Sequence, residues 1–206
     1  MNILNVLSSI LNTPGVQSKI YLPLLISILI EKLIEERVLI RNQLTSLLKK
    51  AMRIIKPEIY LKILVFFLFE IQDPILNTKP NLWHLYEECL LLVCILFLDE
   101  NYGLFSNKQK ETPFSNLNLK DFLTKISSFL DHKTQKVRKA AFETLAVICV
   151  TTEAKAMLEI LHETLASNIY EELLDKIEKK NYFNLNKNGF LELLPEQQPK
   201  QIEKFR

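Results

Sequence analysis

Apolar residues recur along most of the chain at the three- and four-residue intervals of an amphipathic helix. The clearest run spans 82–98, and its expected inner face consists of Leu85, Cys89, Leu92, Val93 and Leu96. A second run spans 135–150 after Thr134 as its N-cap, and its expected inner face consists of Val137, Ala140, Ala141, Leu145 and Ile148. The two adjacent alanines predict close approach of a neighbouring helix.

Polar and proline-containing breaks divide the rest of the pattern into further helices. The ranges predicted to be helical are 2–11, 18–34, 38–55, 59–71 and 118–130, with one or two more helices in 153–180. In the second range Ile20, Leu24, Ile28 and Leu29 share one face, but the helix is apolar nearly all round, which predicts burial between neighbouring helices. The third is expected to bury Val38, Leu44, Leu47, Leu48, Ala51 and Ile55 and to expose Arg41, Lys49, Lys50 and Arg53. These two ranges form either an antiparallel hairpin or one long broken helix.

Turn-forming residues indicate how the chain is divided. Residues 99–116 are polar and contain Gly103 and Pro113, so they are predicted to form an exposed linker and the best internal hinge. The polar residues 195–206 are predicted to form a loose tail. The rest of the chain, 1–194, is predicted to be one helical domain.

The composition favours an all-α fold and excludes several classes of protein. Of the 206 residues, 48% are hydrophobic, 24% are charged and only 3 are glycine, which is few for the tight turns of a sandwich or barrel. The formal net charge of +2 is too small for a dedicated nucleic-acid binder. The apolar runs fall short of the roughly 18–20 residues that cross a bilayer, and the first residues lack the basic segment of a secretion signal. We therefore expect a cytoplasmic protein with neither membrane nor nucleic acid as its partner.

Residues capable of catalysis or metal binding are scattered along the chain. The histidines lack metal-ligand spacing and are expected at the surface: His84, His132 and His162. Adjacent acidic residues point about 100° apart on a helix and are expected on solvated faces: Glu35–Glu36, Glu87–Glu88 and Glu171–Glu172. Three thiols are expected to be buried as small hydrophobes: Cys89, Cys94 and Cys149. We predict a protein that is not an enzyme and uses no metal, cofactor or small-molecule substrate.

The helical pattern restarts at intervals typical of a repeat protein. The restarts near Gln17, Lys56, Leu117 and Glu153 are 39, 61 and 36 residues apart, and the middle interval contains the long polar loops. Helical pairs of about 40 residues are the HEAT and armadillo period. The segment FLDHKTQKVRKAAFETLAVI resembles the second half of a HEAT repeat. This resemblance implies a HEAT/armadillo-like α-solenoid of antiparallel helical pairs, in which Arg138 pins the preceding turn.

Two segments extend the resemblance to one branch of the HEAT proteins. The turn 131–138 places Lys136 just before Val137 and Arg138, and the segment IEKKNYFNLNKNGFLELL has a basic helix end followed by a short Asn-Gly tail. In these features the chain resembles TOG domains of the crescerin type, the tubulin-binding arrays of microtubule regulators, which touch tubulin through intra-repeat turns. The resemblance implies tubulin as the protein partner and a cytoskeletal or ciliary location.

The candidate partner-binding residues are four cations and one aromatic residue. Four positive charges fall within seven residues at the turn before the predicted helix 135–150: Lys133, Lys136, Arg138 and Lys139. They suit an acidic partner surface, although a merely solvated turn is an equal alternative. Trp83 is either an interface anchor or an aromatic residue that caps a helix start. The residues predicted to bind the partner are therefore Lys133, Lys136, Lys139, Trp83 and Arg37.

Two functions remain open from the sequence. The first is tubulin binding through the intra-repeat turns, and the second is a generic HEAT scaffold for a different protein in a larger complex. TOG domains carry a tryptophan in the first turn and about six helical pairs, whereas Trp83 lies later here and about four pairs fit. Basic turns along one edge favour tubulin, and a curved solenoid with an apolar groove favours the scaffold.

Overall fold

Helices make up most of the structure, a computed structural model that describes residues 3–12, 21–70, 78–99, 118–152, 154–185 and 191–193. These ranges contain nine α-helices: α1 (Ile3–Asn12), α2 (Leu22–Glu31), α3 (Val38–Met52), α4 (Pro57–Val65), α5 (Leu82–Leu98), α6 (Leu119–Ser127), α7 (Gln135–Thr151), α8 (Ala154–Thr164) and α9 (Ser167–Glu178). They also contain two short strands, β1 (Phe183–Leu185) and β2 (Leu191–Leu193). The predicted all-α class is confirmed.

The helices form antiparallel pairs that stack in two layers. The pairs are α2 with α3, α4 with α5, α6 with α7, and α8 with α9. Among the first helices of the pairs, α2 packs on α4 and α6 packs on α8. Among the second helices, α7 packs against both α5 and α9, while α1 packs on α3 at the beginning of the array. This arrangement is the expected α-solenoid, and the residues of α2 and α3 form the antiparallel hairpin rather than one broken helix.

Local chemistry explains several helix bounds. Pro57 is the first residue of α4, where its missing N–H leaves no helical hydrogen bond unmade. The α4 helix continues as a π-helix over Phe66–Glu70, so the winding changes within the range predicted to be helical. Thr134 is the N-cap residue of α7, but its side chain makes no capping hydrogen bond. Its backbone N–H donates to Nδ1 of His132 at 3.1 Å instead.

The core is centred on α5 and α7, the most closely packed pair of helices. Every predicted inner-face residue of these two helices is buried, and Ala140 and Ala141 are 4% and 0% exposed. The three cysteines are free thiols buried in the same core, as predicted. The periodicity was sufficient here because each helix has one continuous apolar face that a neighbour covers.

The predicted burial in the ranges of α2 and α3 is partly confirmed. In the range 38–55 the predicted residues Leu44, Leu47, Leu48, Ala51 and Ile55 are buried, as is Leu29 of α2. Leu24, Ile28 and Val38 are 61%, 45% and 57% exposed, so their assignment to the core was wrong. Because α2 is apolar nearly all round, its neighbours decide which side is covered, and they cover Ile26, Leu29 and Ile30. Three cations of α3 predicted to face outward are instead partly buried: Arg41, Lys49 and Lys50.

The strands form a small antiparallel hairpin that the sequence did not predict, and β1 contacts α5. Within the described ranges even the longest helices, α5 and α7 at 17 residues each, lack the length and hydropathy of a bilayer span. Most of the predicted linker, residues 100–116, and all of the predicted tail lie outside the described residues. The hinge, the tail and the 1–194 domain bounds therefore stay predictions.

Candidate protein-binding edge

Three of the turns within the helical pairs come together along one edge of the solenoid. We call residues 35–39, 78–83 and 132–136, together with Lys139, the turn edge. The side chain of Asn81 donates from Nδ2 to Glu36 Oε1 at 3.2 Å, which joins the first turn to the start of α5. Nζ of Lys136 lies 5.1 Å from the centroid of the Trp83 ring, which joins the start of α5 to α7. Residues distant in sequence thus share one surface.

Two arginines hold two of these turns in the same way. Arg138 donates from Nη1 to the carbonyl oxygens of His132 and Lys133 at 2.8 and 3.1 Å. Arg41 donates from Nη1 to the carbonyl oxygens of residues 35–36 at 2.6 and 2.8 Å. In both turns the acceptors lie six and five residues before the arginine. Each arginine satisfies two carbonyls of a tight turn, which is the role expected for Arg138.

The predicted basic residues lie where the third turn enters α7. Lys133, Lys136 and Lys139 are all exposed, and none forms an ion pair with a carboxylate among the described residues. Lys139 lies one helical turn beyond Lys136 on α7. These charges are therefore available to a partner.

The two other residues predicted to bind the partner, Trp83 and Arg37, each contact a neighbouring side chain of the same chain. Trp83 is half-buried, and its ring centroid lies 3.5 Å from that of His84. Arg37 is exposed, but its Nε lies 2.7 Å from Oε1 of Glu35. The hydrogen bond from Arg37 holds the pKa of the Glu35 carboxyl below its usual range. Of the five predicted residues, the structure brings only Trp83 and Lys136 into contact, and the charge of Arg37 is locally balanced.

The prediction that all histidines lie at the surface was wrong for His84. This side chain is only 9% exposed, because it packs at the base of the turn edge. Burial, with the charges of Arg41 and Lys136, lowers the pKa of His84 to about 4. The imidazole is therefore neutral at physiological pH and supports the Trp83 ring as an aromatic group.

The prediction of a solvated Glu87–Glu88 pair was also wrong. Both residues are half-buried on α5, and burial raises the pKa of each carboxyl. Oγ1 of Thr45 donates to Oε2 of Glu88 at 3.1 Å. Glu88 thus forms a polar contact with α3 behind the turn edge.

The first turn adds apolar surface to the edge. Val38 and Leu39 begin α3 directly after Arg37 and are 57% and 79% exposed. Beside them an open cleft of about 580 Å³ is lined by Lys32, Ile34, Glu35, Glu36, Arg37, Lys79, Pro80 and Asn81. The turn edge thus combines a basic end at α7 with a mixed apolar and charged end at α3, a composition suited to a protein partner.

The whole architecture is similar to a solved structure of crescerin, a protein that uses a TOG domain array to regulate microtubules in the primary cilium. The match has a TM-score of 0.65 and 18% sequence identity, and it covers 93% of this chain and 72% of that chain. The chain has the fold of a TOG domain. Comparisons with protein-family models and with curated proteins find no match.

Within this TOG-like fold, Arg41 is the site-forming residue that sequence reasoning missed. The dipeptide Ile40-Arg41 follows the first turn as Val137-Arg138 follows the third. Aligning the sequences of the two turns reveals this repeated pair of an apolar residue and an arginine. The signal was obscured because α3 has no adjacent alanines after its arginine, whereas α7 has Ala140 and Ala141.

Exposed charges, a half-buried tryptophan and exposed apolar side chains make up the turn edge. In the part of the chain that the structure describes, no three His, Cys, Asp or Glu side chains converge as metal ligands would. The carbonyls of the turns are occupied by Arg41 and Arg138, and the exposed charges face solvent. Such a surface binds by complementarity of charge and shape.

Proposed function

We propose that this chain is a non-catalytic protein-interaction domain that binds tubulin through its turn edge. The observation that carries the proposal is the row of exposed lysines at residues 133, 136 and 139, which have no carboxylate partner among the described residues. Unpaired cations on a rigid edge attract an acidic surface without first breaking internal ion pairs. The TOG-like fold supports tubulin as that surface, and the location that follows is cytoskeletal or ciliary.

The two ends of the turn edge have different roles in this proposal. The lysines supply long-range attraction, while Trp83, Val38 and Leu39 supply apolar contact area at short range. Arg37 contributes less to the net attraction, because Glu35 balances its charge. The activity requires no metal, cofactor or small molecule.

Co-sedimentation with free tubulin and with microtubules tests the proposal. Changing Lys133, Lys136 and Lys139 together to Glu alters the local charge by six units and should abolish binding. The helical circular dichroism spectrum should not change, because exposed charges contribute less than about 1 kcal/mol each to folding. Wild-type binding should also weaken as salt rises, since exposed charges are screened beyond about 8–10 Å at physiological ionic strength.

The matched control makes the same charge change at the opposite edge of the solenoid. Arg53, Lys155 and Lys180 are exposed and lie near the ends of helices remote from the turn edge. Changing these three residues to Glu should leave binding intact. If tubulin binds and the turn-edge variant binds equally well, the basic end is not the contact, and Trp83 with residues 78–82 becomes the candidate.

The second candidate function is a scaffold for a protein other than tubulin. The observation that favours it is the mixed first turn, where Glu35 and Glu36 stand beside exposed Val38 and Leu39. Arg37 and Glu35 balance each other's charge there, so this end attracts an acidic partner surface less than the basic end does. A wild-type chain that sediments with neither tubulin nor microtubules would support this alternative.

A further inference from the structure

Exposed apolar side chains are confined to one region of the solenoid. Every large apolar side chain that is exposed in the described part of the chain lies between residues 21 and 66. Apart from Val38 and Leu39 at the turn edge, they lie on α2, immediately before it, on α4 and at the start of its π-helical extension. They are Tyr21, Leu24, Ile28, Ile59 and Phe66, which are 40–69% exposed.

These side chains form one continuous face. Tyr21, Leu24 and Ile28 follow the i, i+3, i+7 spacing of a single helix face, and Ile59 and Phe66 lie on one face of α4. Because α2 and α4 pack side by side, the two stripes adjoin. We call this surface the α2–α4 face.

The corresponding helices of the other half provide an internal comparison. Helices α6 and α8 occupy the same layer, as the first helices of their pairs. Their exposed residues are all polar: Lys120, Asp121 and Thr124 on α6, and Lys155, Glu159, His162 and Glu163 on α8. Exposure of apolar side chains is therefore a property of the α2–α4 face and not of the layer. A contiguous apolar patch of this kind marks an interaction surface.

The π-helix that follows α4 determines which of its aromatic side chains lies on the α2–α4 face. The π-helix Phe66–Glu70 buries Phe67 and Leu68 and packs Phe69 against Phe122 and Phe129, with ring centroids 6.1 and 5.8 Å apart. Phe66 alone of these apolar residues remains 46% exposed. Departures of this type from α-helical winding are frequent at functional sites.

Charges at the two ends of the face have opposite signs. Lys56 and Lys62 lie on the N-terminal half of the α4 stripe, while Glu70 ends it. Glu31 ends α2, which runs in the same direction as α4 because both are first helices of their pairs. All four side chains are exposed and form no ion pair among the described residues. Lys32, the next residue after Glu31, lines the cleft of the turn edge instead.

We propose that the α2–α4 face binds a second copy of this chain in a two-fold symmetric dimer. A two-fold axis perpendicular to the helices places the basic end of one face over the acidic end of the other, so Lys56 of each copy faces Glu70 of its partner. The apolar residues Leu24, Ile28, Ile59 and Phe66 then meet in the middle. Such isologous pairing is the commonest form of oligomer, and it requires this kind of self-complementary surface.

Sedimentation velocity on the purified full chain, at about 1–100 μM, tests the dimer directly. The wild-type sedimentation coefficient should rise with concentration from the monomer to the dimer value. Ile28→Asp and Phe66→Asp should each weaken the dimer at least about tenfold, because each places an unpaired charge in the apolar centre. The control Thr124→Asp, at an exposed position of α6, should leave the dimer unchanged.

A charge exchange tests the proposed pairing. Lys56→Glu alone and Glu70→Lys alone should each weaken the dimer about tenfold, since each places like charges opposite one another. The double variant restores opposite charges across the interface and should recover the wild-type affinity. Circular dichroism verifies that all variants are folded.

Two results would overturn the proposal. A wild-type chain that stays monomeric at about 100 μM would show that the α2–α4 face does not bind a second copy. A dimer that is insensitive to Ile28→Asp, or a double exchange that fails to restore association, would place the interface elsewhere. None of these measurements involves tubulin, so their outcome is independent of the function proposed for the turn edge.

Discussion

Replacing Lys176 by methionine tests how the last helical pair is held in the array. Nζ of Lys176 on α9 lies 2.8 Å from Oε1 of Glu143 on α7, and these side chains are 15% and 2% exposed. The ammonium also lies 5.9 Å from the ring centroid of Phe142. Oε2 of Glu143 has no hydrogen-bond partner in the described part of the chain. The carboxylate therefore depends on one lysine.

The expected cost follows from the burial of the pair. Removing one member of a buried ion pair costs about 3–5 kcal/mol, because it leaves an uncompensated charge in the interior. Lys176 retains some solvent contact, so we expect a loss near the lower end, about 3 kcal/mol. Methionine keeps the apolar stem of lysine, so little of this loss comes from packing.

Urea unfolding followed by circular dichroism measures the effect, with two comparison variants. Lys179 directly follows the same helix and forms an exposed ion pair with Asp175. Lys179→Met removes this pair and should cost about 0.5 kcal/mol or less. The double variant Glu143→Leu, Lys176→Met removes both charges and should be close to the wild type or more stable. If Lys176→Met costs no more than Lys179→Met, the pair between Lys176 and Glu143 does not hold α9 in place.

Three further predictions concern other parts of the fold. Ala141→Leu should lower the free energy of unfolding by roughly 1–3 kcal/mol through overpacking against α5. Ala166→Leu, at an exposed alanine, should not lower it. Equal urea midpoints for the two variants would contradict the close contact at Ala141. Lys180 has a φ of 53°, so Lys180→Gly should stabilise the end of α9 by about 0.5–1 kcal/mol. Lys179→Gly, at a residue whose φ is −75°, should destabilise it. Thermal melts should therefore show a higher melting temperature for the first variant and a lower one for the second. The pKa of His84 is near 6.5 in the unfolded chain and about 4 in the folded chain, so the free energy of unfolding should fall as the pH drops from about 6.5 to 4. In urea titrations His84→Asn should make this fall less steep. An unchanged dependence on pH would refute the role of His84.

The sequence by itself determined the elements whose burial follows from one local pattern. The bounds of α5, the start of α7 and the inner faces of both helices agree with the periodicity, because each helix has a single apolar stripe. The HEAT-like segment around Val137 and Arg138 likewise predicted an arginine that pins its turn. Such features depend on residues within two helical turns of one another, which is the range over which sequence patterns are informative.

Only the tertiary structure decided which surface each ambiguous helix presents. Leu24 and Ile28 lie on a helix that is apolar all round, so their exposure depends on where α3 and α4 pack. His84 is buried, and the charges of Arg41 on α3 and Lys136 on α7 act on it from two other helices. The turn edge itself is joined by the bond between Asn81 and Glu36, which are 45 residues apart. Contacts at that separation arise from the stacking of helical pairs, and no local pattern records them.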